Sequence, residues 1–377
     1  ERFFSSVSFR NLSKLFPNIY LLIKTLYAII NYHGKCIGYI SGGNIMATLD
    51  DIARELGVSK GTVSKALNGA KDVSQKTKQS VLETAVKLGY FRAPRNAPSQ
   101  KLALFVINME YKKPEDFGYD VISGFRITAE PAGFLVDVIP LTRQMQFDWH
   151  YDDFMIREGY CGGFLLGLSL SEPWLNEIAD CKTPTILYDN YIRGNPRVTS
   201  IGIDNEEGIE MAVHYLQSLG HQKIGYLSSD LNSQVYRKRY DAFIKAMSTS
   251  GLVADDSVMG ADFHVNICLT NHLPRLLKNE CTAILCSHDV LAHSVMIHCL
   301  ELGLRIPEDI SIMGFDDIPL CRYTAPPLTT IRQKRTSLGK SAFSALINQL
   351  NHVPIGTLLL HAELIERASC GPVNRKD

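Results

Sequence analysis

Between Ser59 and Asn68 the chain offers hydrogen-bond donors. Lys60 and Lys65 carry ammonium groups, Ser59, Thr62 and Ser64 carry hydroxyls, Asn68 carries an amide, and no carboxylate lies among them. Such groups donate to phosphate oxygens, and a lysine can also donate to guanine O6 and N7. Catalytic groupings are missing. No phosphate-cradling glycine loop follows a strand-like run, no Gly-x-Ser-x-Gly elbow occurs, and no His/Glu pair stands at metal-binding helical spacing. The Gly-Gly pairs at 42–43 and 162–163 are too sparse to count. The nine cysteines, an odd number, fall mostly in apolar runs, as Cys281, Cys286 and Cys299 do, with no Cys-x-x-Cys. Buried reduced thiols in a reducing cytosol suit that pattern better than a disulfide framework or a zinc site. The expectation is a binding protein without catalytic residues, metal or cofactor.

The donor cluster needs a scaffold, and the residues around it supply one. Leu49, Ile52, Ala53 and Leu56 recur at helical spacing, and Gly57 permits a sharp turn. Ser59 then caps a second helix, Lys60 to Leu67, with Val63, Ala66 and Leu67 on its inner side, and Asn68-Gly69 stops it. Ser74 caps a third helix carrying Val81, Leu82, Ala85, Val86 and Leu88, which ends at Gly89-Tyr90. Two helices joined by a Gly-Val-Ser turn form a helix-turn-helix arrangement, whose second helix enters the major groove. A generic three-helix bundle would share the periodicity. Charge favours the first reading. Residues 46–98 hold nine Lys/Arg against five Asp/Glu, a net of +4, while residues 99–377 hold 25 against 33, a net of −8. A basic head on an acidic body suits a polyanionic partner at the head alone.

The string ATLDDIARELGVSKGTVSKALNGAKDVSQKTKQSVLETAVKLGY resembles the amino-terminal domain of the Lac repressor (LacI/GalR) family nearly position by position. By that resemblance Lys60, Gly61 and Lys65 hold the base-reading positions of a recognition helix, Gly61 contributing no side chain. Ser59, Thr62, Ser64 and Asn68 are then expected at phosphates, where they set register. For the two lysines the plain alternative is a solvated helix face. In this family the following segment usually becomes a hinge helix on DNA and wedges a leucine into the minor groove. Here it reads FRAPRNAPSQ, with Pro94 and Pro98 and no leucine. Proline disfavours a continuous helix and pushes Ala93 and Ala97 to extended geometry. The wedge is therefore in doubt, a plain linker is an equal reading, and Arg92 and Arg95 remain able to touch the phosphate backbone.

From Lys101 on, short apolar runs alternate with amphipathic stretches: LALFVIN, FLVDVIPL, GGFLLGL, TPTILYD, SIGID, KIGYLS, TAILCS and ISIMGFDD all read as strands. That rhythm implies parallel sheets covered by helices, and this length needs two of them. The stretches VTSIGIDNEEG, LGHQKIGYL and LELGLRIPEDISIMGFDDIPLCRYTAPPLTTIRQ resemble the periplasmic sugar-binding-protein fold that the same family carries, with ligand between two lobes. Ligands of open α/β sheets sit beyond the carboxyl ends of strands. Matched position by position, the resemblance implies a cleft with Asp189, Arg239, Phe263, His288, Asp316 and Gln333, joined by Asn108 and Tyr119. Carboxylates, an amide, an arginine fork and an aromatic ring suit a sugar or polyol. Each has a blander reading: Asp189 and Asp316 as caps of a helix or turn, Arg239 as a surface ion pair, and His288, where the family often has asparagine, as a structural hydrogen-bonder.

Before the head, the most apolar stretch, Ile19 to Ile30, is 12 residues long, contains Lys24, and is too short to span a bilayer. No small-residue cleavage site follows it convincingly. Gly42-Gly43-Asn44-Ile45-Met46 can be encoded by a ribosome-binding GGAGGT and a short spacer before ATG, so residues 1–45 are expected to be untranslated leader or a disordered extension. The expected organisation is then α/β: an all-α helix-turn-helix head at 46–92, a linker at 93–100, and a two-lobed periplasmic-binding-protein-like body at 101–370. Its first lobe is expected at about 101–205 plus 331–350, its second at about 206–330 plus 351–370, with a tail at 371–377. The expected function is a cytoplasmic, homodimeric transcriptional regulator, as a repressor, that binds double-stranded operator DNA under control of a sugar-like effector, without a membrane partner. A periplasmic sugar-binding transport protein would share the body but not the basic head.

Overall fold

The computed structural model describes residues 47–90 and 100–373; the leader expectation and the linker with Pro94 and Pro98 lie outside them. The head forms three helices, α1 (Leu49–Leu56), α2 (Lys60–Leu67) and α3 (Gln75–Leu88). Their ends are set by local chemistry. Thr48 and Asp51 form a capping box, and the Ser59 and Ser74 hydroxyls accept from the backbone N–H of Thr62 and Thr77 at 3.0 and 3.1 Å. Each cap is worth about 1 kcal/mol. Gly57 and Gly89 close α1 and α3 at φ 65° and 64°, where a Cβ would be strained. Ile52, Val63, Val81 and Ala85 are fully buried between the helices.

The body contains β1 (Gln100–Val106), α4 (Phe117–Ala129), β2 (Phe134–Pro140), α5 (Arg143–Asp148), α6 (Tyr151–Glu158) and β3 (Tyr160–Leu166). There follow α7 (Pro173–Ile178), β4 (Thr185–Tyr188), β5 (Val198–Ile203), α8 (Asn205–Ser218), β6 (Ile224–Ser228), α9 (Gln234–Thr249) and β7 (Met259–Ala261). After a helical stretch α10 (265–278) come β8 (Ala283–Cys286), α11 (Asp289–Glu301), β9 (Ser311–Asp316), β10 (Thr329–Arg332), α12 (Arg335–Leu350), β11 (Thr357–Leu360) and β12 (Glu363–Ile365). Two six-stranded sheets result, in the orders β11-β5-β4-β3-β1-β2 and β12-β10-β9-β8-β6-β7. All pairs are parallel except β10 with β12. The strand-like runs read from the sequence are these strands; β7, β10, β11 and β12 are additional to them.

The chain passes between the sheets three times, after β5, after β10 and after β11. This corrects the expected boundaries at one end: β11 at 357–360 belongs to the first sheet, not to the second lobe with the rest of 351–370. Its four residues pair in parallel with Ser200–Ile203 and cover an edge of β5 that would otherwise lie open. Helix α12 returns to the first lobe on its own apolar face, where Leu338, Ala342 and Leu346 join Phe125 and Phe164. It lies against α4 through two glycines. A Cβ on Gly124 would stand 2.1 Å from the Thr336 carbonyl oxygen, and one on Gly339 2.0 Å from that of Val121. The eight cysteines among the described residues are free thiols, seven of them buried. Among the described residues no helix is long and apolar enough to cross a membrane, and no group of His, Cys, Asp and Glu is arranged for a metal ion.

Candidate functional site

The donor cluster forms one face of α2. Ser59, Lys60, Gly61, Lys65 and Asn68 are exposed, and Thr62 and Ser64 half-buried. Lys60 Nζ meets Asp50 at 2.5 Å and Lys65 Nζ meets Asp72 at 2.5 Å, both in open solvent. Such pairs are screened by salt and hold a lysine only loosely. Ser59 differs from a simple phosphate donor: its oxygen accepts the Thr62 N–H as a helix cap and lies 2.9 Å from the Thr62 hydroxyl. Asn68 likewise donates to the Ser64 carbonyl at 2.6 Å, closing the helix. A Cβ on Gly61 would meet only Ser59 Oγ, at 3.6 Å. Packing therefore does not require glycine there.

The second cluster lies where the chain passes between the sheets. Asp189 follows β4 in a left-handed conformation, φ 56°, and its N–H bonds the Ile201 carbonyl at 2.8 Å. Its carboxylate is buried beside Gly202, whose Cβ would stand 2.3 Å from Oδ1 and 2.9 Å from Tyr191 Oη. Asp189 Oδ1, Asn190 Oδ1 and Tyr191 Oη are buried without a hydrogen-bond partner. Burial pushes the Asp189 carboxyl up to about 7, with Arg239 opposing and the Asp316 charge adding to the rise.

Arg239 reaches in from α9, only 2% exposed. It donates through Nε to Asn205 Oδ1 at 2.8 Å, through Nη1 to the Ser287 carbonyl at 2.5 Å, and through Nη2 to Asp316 Oδ1 at 3.1 Å. Its guanidinium lies 3.7 Å over the Phe315 ring. Asp316 Oδ1 also accepts from Gln333 Nε2 at 2.6 Å, and Gln333 Oε1 accepts from Tyr188 Oη at 3.0 Å. Tyr188, Gln333, Asp316 and Arg239 thus form one hydrogen-bonded line from the first sheet to the second. Arg335 runs beside it, donating to the Asp316 carbonyl at 2.9 Å and to Asp120 Oδ2 at 3.2 and 3.3 Å.

His288 does what its blander reading foresaw. Its Nδ1 accepts the Leu291 N–H at 3.2 Å and so caps α11. The proton is then on Nε2, which donates to Ser229 Oγ at 2.7 Å. Burial lowers its pKa to about 4, so the ring is neutral, and it stacks obliquely on Tyr236 at 5.4 Å. Next to it, buried Asp289 accepts from Thr330 Oγ1 at 2.6 Å and from the Ile318 N–H at 2.9 Å. Those bonds hold the turn in which Asp316 and Asp317 take φ 119° and 50°.

Three expected cleft residues stand apart from this network. Phe263 is 69% exposed with its ring edge toward His264, Tyr119 is 36% exposed, and Asn108 spends its amide on the Gly167 carbonyl at 3.4 Å. Conversely Asn205, Tyr188, Tyr191, Ser229 and Asp289 belong to the site and were not singled out from the sequence. Tyr188 and Asn205 adjoin Asp189 and Asp204 at strand ends, which is the one signal that pointed at them.

Comparison with known proteins agrees with this two-part arrangement. Residues 48–93 match the model of bacterial regulatory proteins, lacI family, and residues 213–370 match a periplasmic binding protein-like domain. The HTH-type transcriptional repressor CytR of Escherichia coli (strain K12) is 31% identical over 331 residues, which span 86% of this chain and 96% of that protein. The HTH-type transcriptional repressor PurR of Pasteurella multocida (strain Pm70) is 27% identical over 335 residues, 86% of this chain and 98% of that one. Among solved structures, the transcriptional regulator CelR in complex with cellobiose superposes with a TM-score of 0.62 at 22% identity, covering 86% of this chain and 99% of that one. The Lac repressor dimer bound to operator and the anti-inducer ONPF does so with 0.58 at 23% identity and the same coverage.

Proposed function

The chain belongs to the lacI family of bacterial regulatory proteins, and from that premise we propose that a small neutral polyol or sugar, held in the cleft built on Asp189 and Asp316, sets how tightly its head binds operator DNA. It is a transcriptional regulator with a helix-turn-helix head and an effector-binding body, neither an enzyme nor a transport protein. The proposal adds that it acts as a repressor in the cytoplasm and that Lys60 and Lys65, around a side-chain-free Gly61, read base edges. Thr62 and Ser64 then stand nearest the phosphates, with Ser59 and Asn68 fixing the helix that carries them. The domain limits follow: head 46–92, linker 93–100, body 101–370, its first lobe extended by α12 and β11.

One observation carries the effector reading: buried polar atoms without partners, the acceptor Asp189 Oδ1 and the hydroxyl Tyr191 Oη, beside a line of hydrogen bonds joining the two sheets. An orphaned buried acceptor costs about 1–3 kcal/mol, which a ligand hydroxyl would recover. Arg239 has three of its N–H groups committed to Asn205, Ser287 and Asp316. It is built to hold Asp316 in place more than to neutralise an anion, so a neutral polyhydroxylated ligand suits the site better than a phosphorylated one. Phe263, exposed here, suits the role of a ring that closes over an apolar sugar face from the second lobe.

The family works as a dimer, and this chain offers a face for it. Val290, Ile297 and Leu300 of α11 are each about half exposed (46–51%), and Tyr323 is 81% exposed. An apolar outer face on a helix whose inner face is already buried suits a two-fold contact with a second copy.

A thermal-shift screen of neutral sugars against sugar phosphates tests the effector class, since a ligand of the folded body raises its melting temperature. Asp316→Ala and Arg239→Ala should then abolish both that shift and the effector's influence on DNA binding, while leaving effector-free DNA binding intact. Unchanged ligand affinity in both variants would remove these residues from the site.

A further inference from the structure

Helix α6 of the first lobe has two faces with different partners. Tyr151 and Met155 point into the lobe's own core, among Phe105 and Trp174. Ile156 does not; only 4% exposed, it is buried with Ile52, Val63, Val81, Ala85 and Tyr90, the core of the head. Helix α3 is the part of the head that lies on α6, and its Leu82 and Val86 pack at the same cluster. The contact leaves the DNA face open, because Lys60, Gly61 and Lys65 on α2 are all exposed with the head in this position. Like charges work against it: burial raises the Asp153 carboxyl on α6, and Glu83 of α3 is among the carboxylates that add to the rise, against the pull of His150.

We propose that the Ile156 face of α6 is a docking surface for the head of its own chain, so that head and first lobe meet DNA as one rigid piece. The proposal rests on the DNA-binding reading of the head. Its consequence is mechanical. A head held only by a flexible linker samples many positions, and adding base pairs between half-sites costs it little. A docked head has one position relative to its lobe, so the spacing of two heads in a dimer is set by how the lobes sit. The linker, with Pro94 and Pro98 in its sequence, then has no need to fold into a helix to place the head.

The test uses the full chain as wild type, Ile156→Asp, Ile156→Leu and Glu83→Gln. Because Ile156 packs with the head and not with the lobe core, the aspartate variant should leave the body's unfolding transition in place, which is checked first. In hydrogen exchange of the DNA-free protein, α3 amides should exchange about ten-fold faster in Ile156→Asp, as expected when a packed face is released. Ile156→Leu should match wild type, and Glu83→Gln, which removes the opposing charge, should exchange more slowly. Equal α3 protection in wild type and Ile156→Asp overturns the docking. For the second readout, two-fold sites are selected by the wild type from a pool of random duplexes and rebuilt with one or two base pairs inserted between the half-sites. Wild type and Ile156→Leu should lose about ten-fold in affinity, and Ile156→Asp less than about three-fold, since its heads are merely tethered. Equal losses in wild type and Ile156→Asp overturn the rigid-piece idea. Failure to enrich any two-fold site would count against the DNA-binding reading instead, and the exchange result would still decide whether the head docks.

Discussion

At the scale of single residues, the exposed lysines of α2 and the buried carboxyl of Asp189 make opposite demands on solvent. Lys60 and Lys65 are available because their partners Asp50 and Asp72 hold them only through exposed pairs. If each lysine reads a base edge, Lys60→Ala and Lys65→Ala should weaken binding to a selected site by roughly 1–3 kcal/mol and leave random duplex nearly unaffected. Equal losses on both DNAs in gel-shift titrations would make them phosphate contacts. Asp189 is the reverse case, a carboxyl whose proton is favoured by burial. Its folded pKa of about 7 exceeds the unfolded value of about 3.9, so the folded state binds more protons between those limits and stability falls as pH rises through that window. The Asp189→Asn variant, which cannot ionise, should therefore gain on wild type from pH 5 to pH 8, by about 2–3 kcal/mol. Urea denaturation of both proteins at the two pH values measures it. A constant difference would mean that Asp189 is charged in the folded protein throughout.

At the scale of elements, the sequence signals that worked were those whose physics is local. A serine at a helix start, a glycine in the left-handed region and a 3.6-residue apolar period act within one or two turns, and α1, α2 and α3 begin and end where Thr48, Ser59, Ser74, Gly57 and Gly89 require. Strands long enough to show an apolar run were equally legible. Strands β10 and β11 were not, although β4 and β8 are as short, since the place of β10 and β11 comes from the neighbours they pair with. Close approach of α4 and α12 is likewise invisible in a sequence, although it is written in Gly124 and Gly339. Gly124→Ala should force these helices apart, because its Cβ would stand 2.1 Å from a backbone oxygen that cannot move alone. Overpacking of this kind costs on the order of 1–3 kcal/mol. A denaturation midpoint that matches wild type would show that the two helices slide freely.

At the scale of the whole molecule, the proposed effector site and the proposed dimer face must be joined by an element that touches both. Helix α11 joins them, because its N-terminus is capped by His288 inside the cleft network while Ile297 and Leu300 lie on the proposed dimer face. A ligand shifts DNA binding only if it favours one lobe arrangement over another, and α11 is a rigid element touching both sites. Ile297→Asp should produce a monomer in analytical ultracentrifugation and lose tight operator binding, because a single head supplies too few base contacts. A variant that still sediments as a dimer would exclude this face.

By itself the sequence determined the head almost completely: three helices, their caps, the exposed donor face and the positive charge all follow from residues a few positions apart. It determined the parallel α/β body too, because buried strands and amphipathic helices announce themselves by local period. The tertiary structure alone decided which distant residues share a site. Tyr188 and Asn205 enter the hydrogen-bonded network, Asp289 braces the turn beside it, and Phe263 stands outside it, through the three passages of the chain between sheets. It alone decided, too, that Arg239 serves Asp316 and that His288 serves as a cap, since a side chain's role is fixed by the donors and acceptors that folding sets within about 3 Å of it. Ile156 is the clearest instance. Nothing in its local sequence separates an isoleucine facing its own lobe from one buried in the head, because that depends on a surface some seventy residues earlier in the chain.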